Sequence, residues 1–525
     1  MNAYFSPAPF NHIVLFANQP ETSMDVFTNE YLWVFKHELT HAINFNLKNK
    51  FWHNLSAVLG DSYTGGLIGN TPFIYEGLAV RTESLEEEGR ANDEETLALI
   101  RQAKIEGKFP NFAEVQGSMD VYPSLTASYV FGGYFWQWLC EKYGEEKFVQ
   151  YIKDCNNVKS VFYARRFKKI YGSTMKEVWQ LFCDELTVPS VAANPADNDF
   201  CDCLLEEHNL SRYSALCSCE QGIYFYDPYK SGVFFVADSQ QPVKVLDSNT
   251  LFNLSVSSDG RYLVTEGYDY STRVLRTIMK VYDLQDNNKV VFEDYGVSEG
   301  TVVKADGGYS VVYFKYAGEN GPKNGLIVIA KLGAEVQSVQ SPLGFGNNVF
   351  SICDGGDGRA YFLYKNGLES YICSVSPDYR GTEQNSSLRV EFGFCEQNEQ
   401  SETNEQTSIK RRLNGISVSN GKIIFSYTDE DTLMRFGIAE RVDDVRDVEL
   451  SDAAAPEGEG GSYNIKLFAQ DLSGGVHYPA LTADGNELAY IGKFYRGNQM
   501  FKLALDQMEF EETTVKASTA CFSCI

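Results

Sequence analysis

Two histidines in "FKHELTHAINF", His37 and His41, lie four residues apart, so on a helix they project from one face and can meet one cation. Glu38 is rotated about 100° from His37, beside such a cation rather than bound to it. There it could take a proton from a water whose pKa the metal has lowered to about 7, then return it to a leaving group. A third ligand follows at Glu76 in "TPFIYEGLAVRTE", on the next expected helix. Two histidines and one glutamate with a fourth position open are the ligand set of a catalytic zinc ion. Gly77 and Ala79 are expected to let these two helices approach closely around Zn2+. The chain has six histidines in all. The other four, His12, His53, His208 and His477, lack partners at any metal-ligating spacing and read as ordinary polar or half-buried residues.

The elements that must position these groups are helical up to about Leu186. "DVFTNEYLWVFKHELTHAINFNLKN" carries apolar residues at helical spacing, with Thr22 and Ser23 as caps. "FIYEGLAVRTESLEEE", "EETLALIRQAK", "SLTASYVFGGYFWQWLCEKYG", "EEKFVQYIKDC" and "TMKEVWQLFCDEL" continue the pattern, and "NHIVLFAN" is the one clear strand before them.

After "VPSVAANPADNDFCDC" the texture changes to period-two segments rich in Val, Ile, Tyr and Phe, separated by Gly, Asp and Asn turns. "SVSSDGRYLVTEGYDY", "VKADGGYSVVYFKYAG", "CDGGDGRAYFLYKNG", "SVSNGKIIFSYTDED" and "LTADGNELAYIGKFY" share one plan: a short strand, a tight turn and a longer apolar strand. The turn glycines, Gly260, Gly307, Gly358, Gly421 and Gly485, supply the positive φ that tight hairpins need. An all-strand repeat of this length marks the blades of a propeller, five to seven of them, with "GIYFYDPYKSGVFFVADSQQPVKVL" as an additional first blade. A β-sandwich with long loops is the alternative.

Bulk composition sets limits. At 525 residues the chain exceeds one ordinary core, and 43% apolar with 22% charged residues is globular usage. A net charge of −26 argues against nucleic acid and anionic lipid as partners. No apolar run approaches the roughly 18 residues of a membrane span. Cys201/Cys203 and Cys217/Cys219 read as a disulfide staple or free thiols rather than a metal site, because no second ligand set stands at zinc-finger spacing.

"HELTH" followed by "PFIYEGLAV" resembles the gluzincin metallopeptidases, the peptidase MA-like clan, over about residues 4 to 186. "YFSPAPFNHIVLF" is similar to their edge-strand region, and "SYVFGGYFWQWLCEKYGEEKF" to the helix behind their site. The later repeats resemble TolB-type bacterial propellers. The resemblance implies that His37, His41 and Glu76 ligate Zn2+ and that Glu38 is the general base. It also implies a location in the cell envelope, periplasm or outside the cell, although no signal peptide precedes Lys36. About 25 residues before the active helix is short for the family, so a missing N-terminal segment is expected. Some gluzincins place an acidic residue four positions after the ligand glutamate. Here that position is Val80, and Glu83, on the same face, reads as a solvated helix charge with support of a ligand as the alternative. Tyr129, Tyr134 and Tyr75 are candidate donors to an oxyanion, Tyr129 first among them.

The expected architecture is therefore multidomain α+β. A mainly helical, zincin-like peptidase domain occupies 1–190, a linker 191–212 and an all-β propeller 213–525. The expected activity is zinc-dependent hydrolysis of peptide or protein substrates, with a propeller that gates, presents substrate or binds a protein partner. The competing expectation is a non-catalytic binding protein whose propeller is the functional surface and whose zinc site is structural or inactive.

Overall fold

The computed structural model describes residues 3–7, 10–15, 30–60, 66, 70–86, 89–117, 126–156, 162–205, 214–237, 241–271, 276–305, 308–316, 325–333, 336–340, 349–366, 369–379, 387–394, 412–429, 432–442, 462–495 and 497–516. Contacts divide the chain into two compact units, Met1–Pro189 and Ser190–Ile525. Thr22, Ser23, Gly307 and His208 lie outside the described residues.

The first unit is mainly helical, but it does not have the zincin-like fold expected of it. Its described residues form eight helices and a single antiparallel pair, β1 (Ala3–Ser6) and β2 (His12–Leu15). The strand pair packs against α1, with Ala3 on Trp33 and Val34, and most of the helices pack on one another. The helices are α1 (Glu30–Asn46), α2 (Lys50–Leu59), α3 (Pro72–Glu83), α4 (Glu94–Ile105), α5 (Ala127–Tyr143), α6 (Glu145–Cys155), α7 (Tyr163–Tyr171) and α8 (Met175–Glu185). Helices α3 to α8 share an aromatic core, with Phe73, Phe131, Phe135, Trp136, Phe167 and Trp179 all buried.

Local chemistry sets several boundaries. Asn49 ends the run that begins with α1 by accepting the Trp52 amide and capping α2. Pro72 opens α3, where a missing N–H costs nothing. Thr174 and Glu177 form a reciprocal capping box on α8. Gly77 faces α5 rather than α1: a Cβ there would stand 2.8 Å from the Gly132 carbonyl carbon and 2.6 Å from Trp136 Cδ1. The two ligand-bearing helices do pack against each other, but Gly77 serves the approach of α3 to α5 instead.

The second unit dominates the chain and is a six-blade β-propeller. Blades one to four are antiparallel meanders: β4–β7 within Ala215–Asp247, β8–β11 within Asn253–Tyr295, β12–β15 within Val297–Gln340 and β16–β19 within Val349–Phe394. Blade five, β20–β23 (Arg412–Leu467), gains β27 (Glu511–Lys516) as a fifth strand. Blade six, β24–β26 (His477–Ala504), is completed by β3 (Cys201–Cys203), so the ring closes with a strand from the stretch expected to be a linker. The innermost strands contact one another in order, and that of blade six returns to that of blade one. This closed ring replaces the sandwich alternative.

Each blade lies between two others, and a middle strand such as β5 (Gly222–Asp227) is buried throughout. Gly260, Gly358, Gly421 and Gly485 recur in the turns after four of the six inner strands, with φ of 69°, 88°, 73° and 72°. That conformation costs a side-chain-bearing residue about 1–2 kcal/mol.

Candidate metal site

Glu76 on α3 meets His37 and His41 on α1. Oε2 of Glu76 lies 3.3 Å from Nε2 of His37 and 3.0 Å from Nε2 of His41, and the two nitrogens are 3.1 Å apart. Donors about 2.0 Å from a tetrahedral zinc ion stand about 3.3 Å from one another. The triangle has the size such an ion requires.

Tautomers sharpen the point. Nδ1 of His37 lies 2.8 Å from Oε2 of Glu83, whose side chain is fully buried. A neutral His37 donating there leaves its Nε2 as a bare lone pair facing a carboxylate oxygen and the other imidazole. Two imidazole lone pairs and a carboxylate converging on one point are the donor set that a divalent cation fits. Without metal the same crowding is relieved by a proton. Burial works against charge on His37, but the hydrogen bonds to Glu76 and Glu83 outweigh it and lift the pKa to about 9. Burial would also raise Glu76, yet the two histidines hold its carboxyl far below the usual range.

Glu83 overturns its reading as a solvated helix charge. It lies two helical turns beyond Glu76 on the same face of α3 and supports a ligand from within the core. Arg90 contacts both its oxygens, with Nε at 2.8 Å from Oε1 and Nη2 at 3.1 Å from Oε2. The i, i+7 spacing was the sequence signal for Glu83. Arg90 belongs to a short 3-10 turn, Arg90–Asn92, and no spacing rule pointed to it.

Nδ1 of His41 has no hydrogen-bond partner among the described residues. Its ring is held by packing instead, stacked on Phe45 at 5.8 Å and edge-on to Tyr75 at 5.9 Å. Glu38 is buried on α1 beside His37, 7% exposed. Tyr129 lies parallel to the His37 ring at 6.0 Å. Burial first, then the charge of Glu76, push its phenol pKa well up, so it stays protonated. Tyr75 is shifted upward by burial and by Glu76. Tyr134 is committed elsewhere, donating to the Asp93 carbonyl.

Among the described histidines, only His37 and His41 belong to the donor cluster. His12 contacts the Phe10 carbonyl at 2.8 Å. His53 is exposed on α2. His477 is buried in β24, where desolvation and Lys493 keep its pKa well below normal. Cys201, Cys203, Cys217 and Cys219 carry free thiols. Among the described residues, no helix is long and apolar enough to cross a membrane.

No family model matches the chain. It is 28% identical over 321 residues to an uncharacterized protein of Treponema pallidum (strain Nichols), covering 60% of this chain. The match spans 28% of that relative's length. Among solved structures, the chain is similar to an oligogalacturonate lyase in complex with manganese, at 10% identity and a TM-score of 0.32. That likeness covers 55% of this chain and 74% of the lyase. It is also similar to the β-propeller domain of the Trilobed protease from Pyrococcus furiosus, at 12% identity and a TM-score of 0.29, over 58% and 79% of the two chains. An acylaminoacyl peptidase of Pyrococcus horikoshii follows at 15% identity and a TM-score of 0.28, over 47% and 42%.

Proposed function

We propose that the first unit is a zinc-dependent hydrolase acting on peptide bonds, and that the propeller presents substrate or binds a protein partner. The observation that carries this reading is the triangle of His37 Nε2, His41 Nε2 and Glu76 Oε2, with edges of 3.0–3.3 Å. Zinc bound there would polarise a peptide carbonyl and acidify a water. Glu38 would take the proton of the attacking water and pass it to the departing amine, the role its place one residue after His37 allows. Tyr129, held protonated beside the ligands, would donate to the oxygen on which negative charge develops.

The test is metal content combined with cleavage of a mixed peptide library. One zinc per chain and chelator-sensitive cleavage are expected. Glu38→Gln should bind zinc as tightly as the wild type while losing hydrolysis. Undiminished turnover by that variant sinks the assignment. Stoichiometric zinc without cleavage establishes the competing reading, a binding protein with a structural metal centre.

A further inference from the structure

We infer that Arg90 is a positioning residue of the metal site, acting through Glu83 to fix the ring of His37; the inference rests on the metal-binding reading above. Glu83 is buried against His37 and would be an unpaired carboxylate without a countercharge, an arrangement that buried groups do not sustain. Arg90 supplies that charge as a two-pronged contact. Its Nε at 2.8 Å and its own backbone amide at 3.4 Å occupy Oε1, while Nη2 at 3.1 Å flanks Oε2. A planar fork fixes a carboxylate's orientation as well as its charge. Oε2 is thereby kept on Nδ1 of His37.

Nη2 of Arg90 also stands 3.1 Å from Nδ1 of His37. Both are donors when Nδ1 carries its proton, so this is not a hydrogen bond; the two N–H groups share one acceptor, Oε2 of Glu83. The guanidinium itself is held by rings. Its carbon lies 4.9 Å from the ring centre of Trp33, one turn before His37 on α1, and 5.4 Å from that of Tyr129, which also stacks on His37. Arg90, Glu83 and His37 therefore form one packed unit, with the Tyr129 ring against both the guanidinium and the imidazole. With the ring so fixed, Nε2 of His37 can face only His41 and Glu76. Groups that orient a metal-bound histidine through its second nitrogen typically change metal affinity ten- to a hundredfold when lost.

The experiment measures zinc affinity of the full chain by competition with a chelator, alongside the visible absorption of the cobalt-loaded protein. Arg90→Gln should weaken zinc binding about ten- to a hundredfold and change the cobalt spectrum. Glu83→Gln should do the same, and the double variant should lose no more than Glu83→Gln alone, because Arg90 acts through Glu83. Arg90→Lys, which keeps the charge but loses the fork, should fall between, and it carries the test if Arg90→Gln does not fold. Wild-type affinity in Arg90→Lys together with a misfolded Arg90→Gln, or wild-type affinity in Arg90→Gln, overturns the inference. So do losses that simply add in the double variant. A wild-type chain that binds no zinc overturns the metal reading itself and this inference with it.

Discussion

Nδ1 of His37 and Oε2 of Glu83 meet at 2.8 Å on the side of the imidazole away from Glu76. One glutamate of α3 thus faces one nitrogen of the ring and a second glutamate of the same helix faces the other. That arrangement clamps His37 between two carboxylates two helical turns apart, and the expectations below follow from it and from the packing around it.

Tyr129, whose ring stacks on His37 and whose hydroxyl bonds to Glu76, is expected to serve the reaction as well as the ligands. Tyr129→Phe should lower kcat by about 10²–10³-fold, the loss typical of one oxyanion donor, with zinc content unchanged. An unchanged kcat would leave the tyrosine a structural partner of His37 and Glu76 only.

The metal-free site should have a stability optimum set by its own ionisations. The pKa of His37 is lifted to about 9 despite burial, by Glu76 and Glu83, from about 6.5 in the unfolded chain. A raised pKa contributes stability that is complete below 6.5 and is lost as the pH rises through 9. Glu76 and Glu83 are depressed, so their contribution is present above the ordinary carboxylate range and is lost only in acid. In a chelator, the first unit should therefore melt lower at pH 9.5 than at pH 6.5, and saturating zinc, which displaces the proton, should shrink the difference. A metal-free melting temperature that climbs across that interval would contradict the assignment.

Gly77→Ala tests the crossing of α3 with α5. The added methyl would sit 2.8 Å from the Gly132 carbonyl carbon, and backbone cannot swing away as a side chain can. Overpacking of this kind costs about 1–3 kcal/mol, more than the roughly 1 kcal/mol of helix propensity gained. Chemical denaturation should show a net loss; a stabilised variant would mean the helices part easily.

Alkylation should separate the thiols of the closing strand. Cys203 is exposed, whereas Cys201 is buried and its thiol is pushed up to about 12 by that burial. Mass spectrometry after brief treatment at pH 8 should find Cys203 modified and Cys201 intact until the protein is unfolded. Equal labelling of both would mean that β3 does not close blade six.

The amino-acid sequence by itself determined what depends on near neighbours. His37 and His41 share a face because four residues make about one helical turn, and Gly260, Gly358, Gly421 and Gly485 mark inner turns because only such residues take positive φ freely. Alternation along each segment declared the strands of a repeating all-β unit. What it could not determine are contacts between elements whose separation no local rule fixes. How the ring closes was decided only when β3, from the expected linker, paired with β26 (Gly497–Ala504) as the fourth strand of blade six. The first unit is helical as its periodicity declared, but the zincin-like fold expected of it was not there, because helical segments alone do not reveal how the helices pack. Gly77 turned to α5, and Glu83 moved from solvent to the core, because burial is decided by which helix lies opposite. Arg90 reached Glu83 only through the fold, where a buried carboxylate must find its countercharge wherever the chain happens to bring one.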